Sequence, residues 1–134
     1  MKNDKTDNHE QIFWEEIDRL FPDMIKAIAS LSKKSYLSIT NLRTGITWWS
    51  ERAMDYFGMK ENYTIRGMEK ANRKIHPDDV ATFKRGFKER VDGKNLDTAW
   101  EYRIQDGDSY NRFNAMARVL YDEQKQPFII IIRY

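Results

Sequence analysis

The spacing of the apolar residues changes at Tyr36, and that change confines the chain to a mixed fold. From His9 to Leu31, residues Ile12, Phe13, Ile17, Leu20, Phe21, Met24, Ile25, Ile28 and Leu31 recur three and four apart. Such spacing puts one apolar stripe along a helix. Pro22 interrupts the stripe, removes a backbone donor and disfavours helical geometry at Phe21, which predicts a kink or a break into two helices. From Tyr36 the period becomes two: Leu37 and Ile39 alternate with Tyr36, Ser38 and Thr40. That is the signature of a strand. Helical stripe followed by strand alternation reads as an α+β chain.

The remaining elements follow from their punctuation. Gly45 closes a turn into a strand at Ile46–Trp49. Ser50 suits the N-cap of a short helix that Gly58 stops. Glu61 to Lys74 has mixed charge and few apolar residues, which predicts short helical turns with loops. Pro77 to Asp92 is the clearest helix: Pro77 fits its first position, Asp78 and Asp79 its positive end, and Lys84, Arg85, Lys88 and Arg90 its negative end. Val80, Phe83, Phe87 and Val91 form its buried face, and Gly86 inside it costs about 1 kcal/mol relative to Ala. Three strands complete the chain, at Thr98–Ile104, Ser109–Tyr121 and Phe128–Arg133, with Asp106-Gly107 as the tight turn between the first two. Met1 to Asn8 is polar and expected to fray. The division is a helical segment over 1–35 and one domain over 36–134.

Bulk properties narrow the function classes. A chain of 134 residues fits a single core. Its 23 basic against 21 acidic residues leave a net charge of +2, too little for a nucleic-acid or membrane partner. There is no cysteine, which excludes disulfides and thiolate chemistry. The longest apolar run, Phe128–Ile132, is far short of a spanning helix, so a cytoplasmic location is expected.

Several short signals then occur in one order: Asn41-Leu42-Arg43-Thr44-Gly45, Trp48-Trp49, Tyr56-Phe57-Gly58, Ile75-His76-Pro77-Asp78-Asp79, Glu101-Tyr102-Arg103, Asp106-Gly107, and Asp122 five residues before Pro127. Over Tyr36 to Tyr134 the chain resembles a PAS domain, of the kind preceding bacterial GGDEF diguanylate cyclases and sensor histidine kinases. The resemblance implies five antiparallel strands with helices on one face and a pocket between them. It also implies a sensor and dimerisation module of a bacterial signalling protein that controls a downstream output domain, a GGDEF diguanylate cyclase being the expected one. In the family a signalling linker begins where Tyr134 stands, which fits an excised module. Two positions depart from the family pattern: Arg112 replaces an aromatic residue, and Lys125 replaces the glycine before the last strand.

Candidate sites each carry a plain alternative. His76 can be a haem or metal ligand, but before Pro77 it better suits a cap of the first helical turn. Asp78 and Asp79 look like paired carboxylates, yet adjacent helical residues point about 100° apart and serve the dipole there. Glu101 and Arg103 share a strand face and fit a polar ligand, or a cross-strand or dimer-interface ion pair; whether their face or that of Trp100, Tyr102 and Ile104 points inward stays open. Trp48 and Trp49 face opposite ways, one to the core and one to the leading helix or a partner subunit. No catalytic residue, metal site or cofactor is expected. The absence of cysteine rules out flavin photosensors of the LOV kind, while a noncovalent flavin or small metabolite stays open.

The pocket expected for a small-molecule ligand is bounded by Ile39, Phe57, Phe83, Phe87, Ala115 and Ala117, with a filled core as the equal alternative. The expected homodimer interface is Ile12, Phe13, Ile17, Leu20, Phe21 and Met24, against packing of the same helix on its own sheet. Two other functions compete with the sensor. A stand-alone enzyme would use an α+β cavity with a carboxylate base, and a single-strand nucleic-acid binder would need exposed aromatic pairs beside a basic groove.

Overall fold

A computed structural model describes residues 5–21 and 23–134, with side chains from residue 8 onward. The leading stripe forms two helices, α1 (Lys5–Leu20) and α2 (Met24–Leu31). Pro22 lies outside the described residues, as do residues 1–4 of the stretch expected to fray; from Lys5 that stretch is helical. Strands β1 (Leu37–Asn41) and β2 (Ile46–Trp49) make a hairpin. Its turn is set by Gly45 at φ 74° and by Asn41 Oδ1, which accepts from the Arg43 and Thr44 amides. Helix α3 (Glu51–Phe57) starts where the Ser50 hydroxyl accepts from the Ala53 amide and stops at the left-handed Gly58.

The region expected to hold only helical turns and loops contains a short strand, β3 (Tyr63–Ile65), and helix α4 (Gly67–Asn72). β3 pairs with β2 and adds a sixth strand to the five expected. Three residues are too few to show a period, so only the pairing reveals it. Pro77–Asp79 is a single 3-10 turn leading into helix α5 (Val80–Val91). Strands β4 (Trp100–Asp106), β5 (Ser109–Tyr121) and β6 (Pro127–Arg133) finish an antiparallel sheet of order β3-β2-β1-β6-β5-β4. The first and last strands meet at its centre, Ile39 opposite Ile131. Lys125, in the last turn, takes φ 64°, the conformation a glycine would supply without strain.

Both edges of the sheet are covered, which removes free strand templates. Helix α1 packs beside β3. At the other edge the segment before Pro77 pairs with β4: His76 N–H donates to Arg103 O at 3.0 Å and Gln105 N–H to Lys74 O at 2.7 Å. Both faces are covered too. Helices α3, α4 and α5 close the inner face over Trp49, Phe83, Trp100, Tyr102, Ile104, Ala115, Ala117, Ile130 and Ile132. The N-terminal helices close the outer face, where Phe13, Ile17 and Ile25 join Leu37, Ile39, Ile46 and Ile129. No helix among the described residues is long and apolar enough to cross a membrane.

Candidate functional site

The alternation of β4 resolves which face is inward: Trp100, Tyr102 and Ile104 are buried in the inner cluster, and Glu101 is exposed. The Trp100 indole lies in a slot made by small residues. Ala115 is its cross-strand partner, and Gly86 of α5 sits so close that a Cβ there would stand 2.5 Å from Nε1. Phe83 stacks on the indole at 4.9 Å, and the Arg90 guanidinium lies 4.6 Å from its ring centre. Gly86, costly in a helix by propensity, is therefore required by packing.

Buried polar atoms without partners gather here. Trp49 Nε1, Trp100 Nε1, the Tyr102 hydroxyl and Arg90 Nε are all shielded from solvent and make no hydrogen bond with protein. Arg90 is 3% exposed, donates to Gly86 O at 3.1 Å and Thr98 O at 2.8 Å, and has no carboxylate partner among the described residues. Burial lowers the pKa of its guanidinium. Burial also pushes the Tyr102 phenol well above its usual value, with nearby Tyr134 adding to the rise and Arg90 opposing it. Tyr134 closes one side, its ring 5.0 Å from Phe57 and its hydroxyl 3.0 Å from Ser38 Oγ. An unmet buried donor costs about 1–3 kcal/mol, so such a cluster suits a bound group that supplies acceptors.

Of the expected pocket residues, Phe57, Phe83, Phe87, Ala115 and Ala117 come together in this cluster. Ile39 does not. It lies on the opposite face with Phe13 and Ile17, because the apolar side of β1 meets α1 while Ser38 and Thr40 point inward. Beside Ala115, the room expected for a ligand holds the indole of its partner Trp100. Trp100, Tyr102 and Arg90 were missing from the expected set; the signal that could have found them was Gly86 in mid-helix, a mark of close approach.

The other candidates have defined places. His76 Nδ1 accepts from the Asp78 amide at 3.1 Å and caps the 3-10 turn, with its ring against Tyr110. Asp79 does more than complement a dipole. It receives both Nε and an NH2 group of Arg103 at 2.9 Å and the Arg103 amide at 2.9 Å, tying α5 to β4. The hydrogen bonds from the Arg103 side chain hold the Asp79 pKa down to about 2. Glu101 pairs across the hairpin with Arg112, the residue that replaces the family's aromatic. Trp49 is in the inner core and Trp48 packs with the outer cluster. In the expected dimer set, Phe13 and Ile17 are fully buried on their own sheet, Leu20 and Phe21 pack partly against it, and Ile12 and Met24 stay exposed. Among the described residues no group of three or more His, Cys, Asp or Glu could hold a metal ion.

Comparison with known proteins gives the same architecture. The N-terminal domain of a diguanylate cyclase with PAS/PAC sensor from Marinobacter aquaeolei superposes with a TM-score of 0.58 at 15% identity, over 75% of this chain and 94% of that one. A sensory box histidine kinase/response regulator from Burkholderia thailandensis E264 gives 0.56 at 17% identity, over 80% and 79%. At such identities the likeness speaks for the fold alone. No curated protein matches the chain. The sequence profile of the PAS fold matches residues 46–132, well over half of the length. The chain belongs to the PAS fold family.

Proposed function

We propose that this chain is a sensory and regulatory PAS domain, without catalysis of its own, that receives a small ligand between the sheet and α5. The observation that carries this reading is the set of buried, unpartnered polar atoms on Trp49, Trp100 and Tyr102. A ligand offering acceptors would meet them, and the surrounding aromatic packing would shift as it did so. Helix α5 and β4, locked together by Asp79 and Arg103, would carry that shift as a unit. The competing enzyme reading needs a carboxylate base in the same place, and the charged residue buried there is Arg90.

The output we favour is a GGDEF diguanylate cyclase, on the sequence resemblance, with a sensor histidine kinase as the alternative. The protein would act on the cytoplasmic side of a bacterial cell. A homodimer fits the apolar residues that the N-terminal helices leave exposed, Ile12 at 45%, Met24 at 41% and Leu31 at 86%. Light scattering of the protein and of an Ile12→Ser, Met24→Ser, Leu31→Ser variant tests this part: a dimer that becomes a monomer supports it, and a monomer in both refutes it. A thermal-shift screen of metabolites tests the sensor itself. A hit should lose at least about tenfold in affinity in Tyr102→Phe, in line with a lost buried hydrogen bond. A hit bound equally well by Tyr102→Phe and Ala117→Leu would place the ligand elsewhere. The sequence encoded beyond Tyr134 tests the output, and a kinase motif there would overturn the cyclase.

A further inference from the structure

A cleft of about 590 Å³ opens between α1, the loop after Gly58, β3 and α4. Its wall carries Lys60, Lys70 and Arg73. Lys70 and Arg73 are three apart at the end of α4, so they project from one face, and Lys60 approaches from the loop. None of the three side chains makes a hydrogen bond or ion pair among the described residues, although Lys70 is half-buried. Elsewhere Arg43, Arg103, Arg112 and Arg118 are engaged by carboxylates, and what sets the cleft apart from unpaired surface cations such as Lys84 and Arg85 is that its three line one concavity. The acid in the cleft, Glu61, lies 3.6 Å from His9 Nδ1 of α1. That nitrogen is shielded from solvent and has no hydrogen-bond partner. The Thr64 side chain completes the floor.

Three cations, Lys60 and Arg73 exposed and Lys70 half-buried, against one acid, Glu61, leave a net positive field on a cleft large enough for a nucleotide-sized molecule. Lysine and arginine together suit phosphate oxygens, the first as a point charge and the second through its planar fork. We propose that this cleft binds a small phosphorylated metabolite, and that the bound anion fastens α1 to the body of the domain through His9. The site shares only Met59 with the inner cluster, and none of the basic residues argued here, so it stands or falls apart from the ligand reading above.

Inorganic pyrophosphate titrated into the isotopically labelled full chain, at about 0.1 M salt to screen diffuse attraction, is the test. Saturable binding is expected, with amide shifts gathered on residues 58–62 and 67–73 and slower hydrogen exchange in α1. The double variant Lys70→Met, Arg73→Gln should bind at least about tenfold more weakly, while Lys84→Met, Arg85→Gln on the exposed face of α5 should bind as the parent does. Thermal unfolding of both variants checks that each is folded. Absence of saturation, equal weakening in the two variants, or unchanged exchange in α1 would overturn the proposal. So would binding to phosphatidylglycerol vesicles without binding to pyrophosphate, because the phosphate would then be a lipid headgroup's.

Discussion

The two faces of the sheet are packed with different chemistry. On the outer face the aliphatic side chains of β1, β2 and β6 meet α1 and α2, and several polar groups between them are paired. Asn41 Nδ2 donates to Phe13 O at 3.3 Å, and Trp14 Nε1 donates to the Tyr63 hydroxyl at 2.7 Å. Arg43 joins Glu16 of α1 to Asp122 of the β5–β6 turn while lying over the Phe128 ring. On the inner face the side chains are larger and aromatic, and Trp49, Trp100 and Tyr102 keep polar atoms that nothing among the described residues satisfies. A face whose buried donors are mostly met has one favoured arrangement. A face with several unmet has free energy to gain from a new partner. On the function proposed above, the outer face is the scaffold and the inner face the responsive side.

The largest effect expected is on the scaffold. Phe13→Ala removes a fully buried ring between α1 and the sheet and should cost about 3–5 kcal/mol in urea unfolding. A loss below about 1 kcal/mol would mean that α1 contributes little to the fold in solution and would dissolve the contrast between the faces. Gly86→Ala follows. Propensity alone would make it stabilising by about 1 kcal/mol, but the new methyl meets the Trp100 indole, so the expected result is a loss of about 1–3 kcal/mol. A gain would show that the indole can move aside freely.

The tie between α5 and β4 comes next. Asp79→Asn should cost about 1–2 kcal/mol at neutral pH, the range of a partly screened charged hydrogen bond. The sign of its pH dependence follows from the depressed pKa of about 2. The unfolded carboxyl titrates near 3.9, so the native protein keeps this contribution above about pH 4 and loses it as pH falls towards 2. Stability curves of parent and variant should therefore converge over that interval. Curves that stay parallel down to pH 2 would show that the ion pair is not what Asp79 contributes.

The element order was legible because periods of three to four and of two are written locally, and caps such as Ser50, Gly58 and Pro77 stand at the boundaries. Features that depend on contacts distant in sequence were not. β3 is too short to carry a period and exists through its pairing with β2. Gly86 reads as a defect until Trp100 is known to lie on it. Ile39 was placed with the pocket because alternation shows that β1 has an apolar side, but not which layer that side meets. Glu101 and Arg103 share a strand face that suits a polar ligand or a cross-strand or dimer-interface ion pair, but only the aligned strand shows their separate partners, Arg112 across the hairpin and Asp79 before α5.

The smallest expected effect tests the central claim most directly. Tyr102→Phe removes one buried oxygen from the inner face and changes nothing else in the packing. If the hydroxyl is unmet in the free protein, its loss should leave stability unchanged or raise it by about 1 kcal/mol, a gain of about 3–5 °C in Tm for a chain of this size. A Tm lowered by that amount or more would show that the hydroxyl is already satisfied and that Tyr102 is not an unmet group waiting for a ligand.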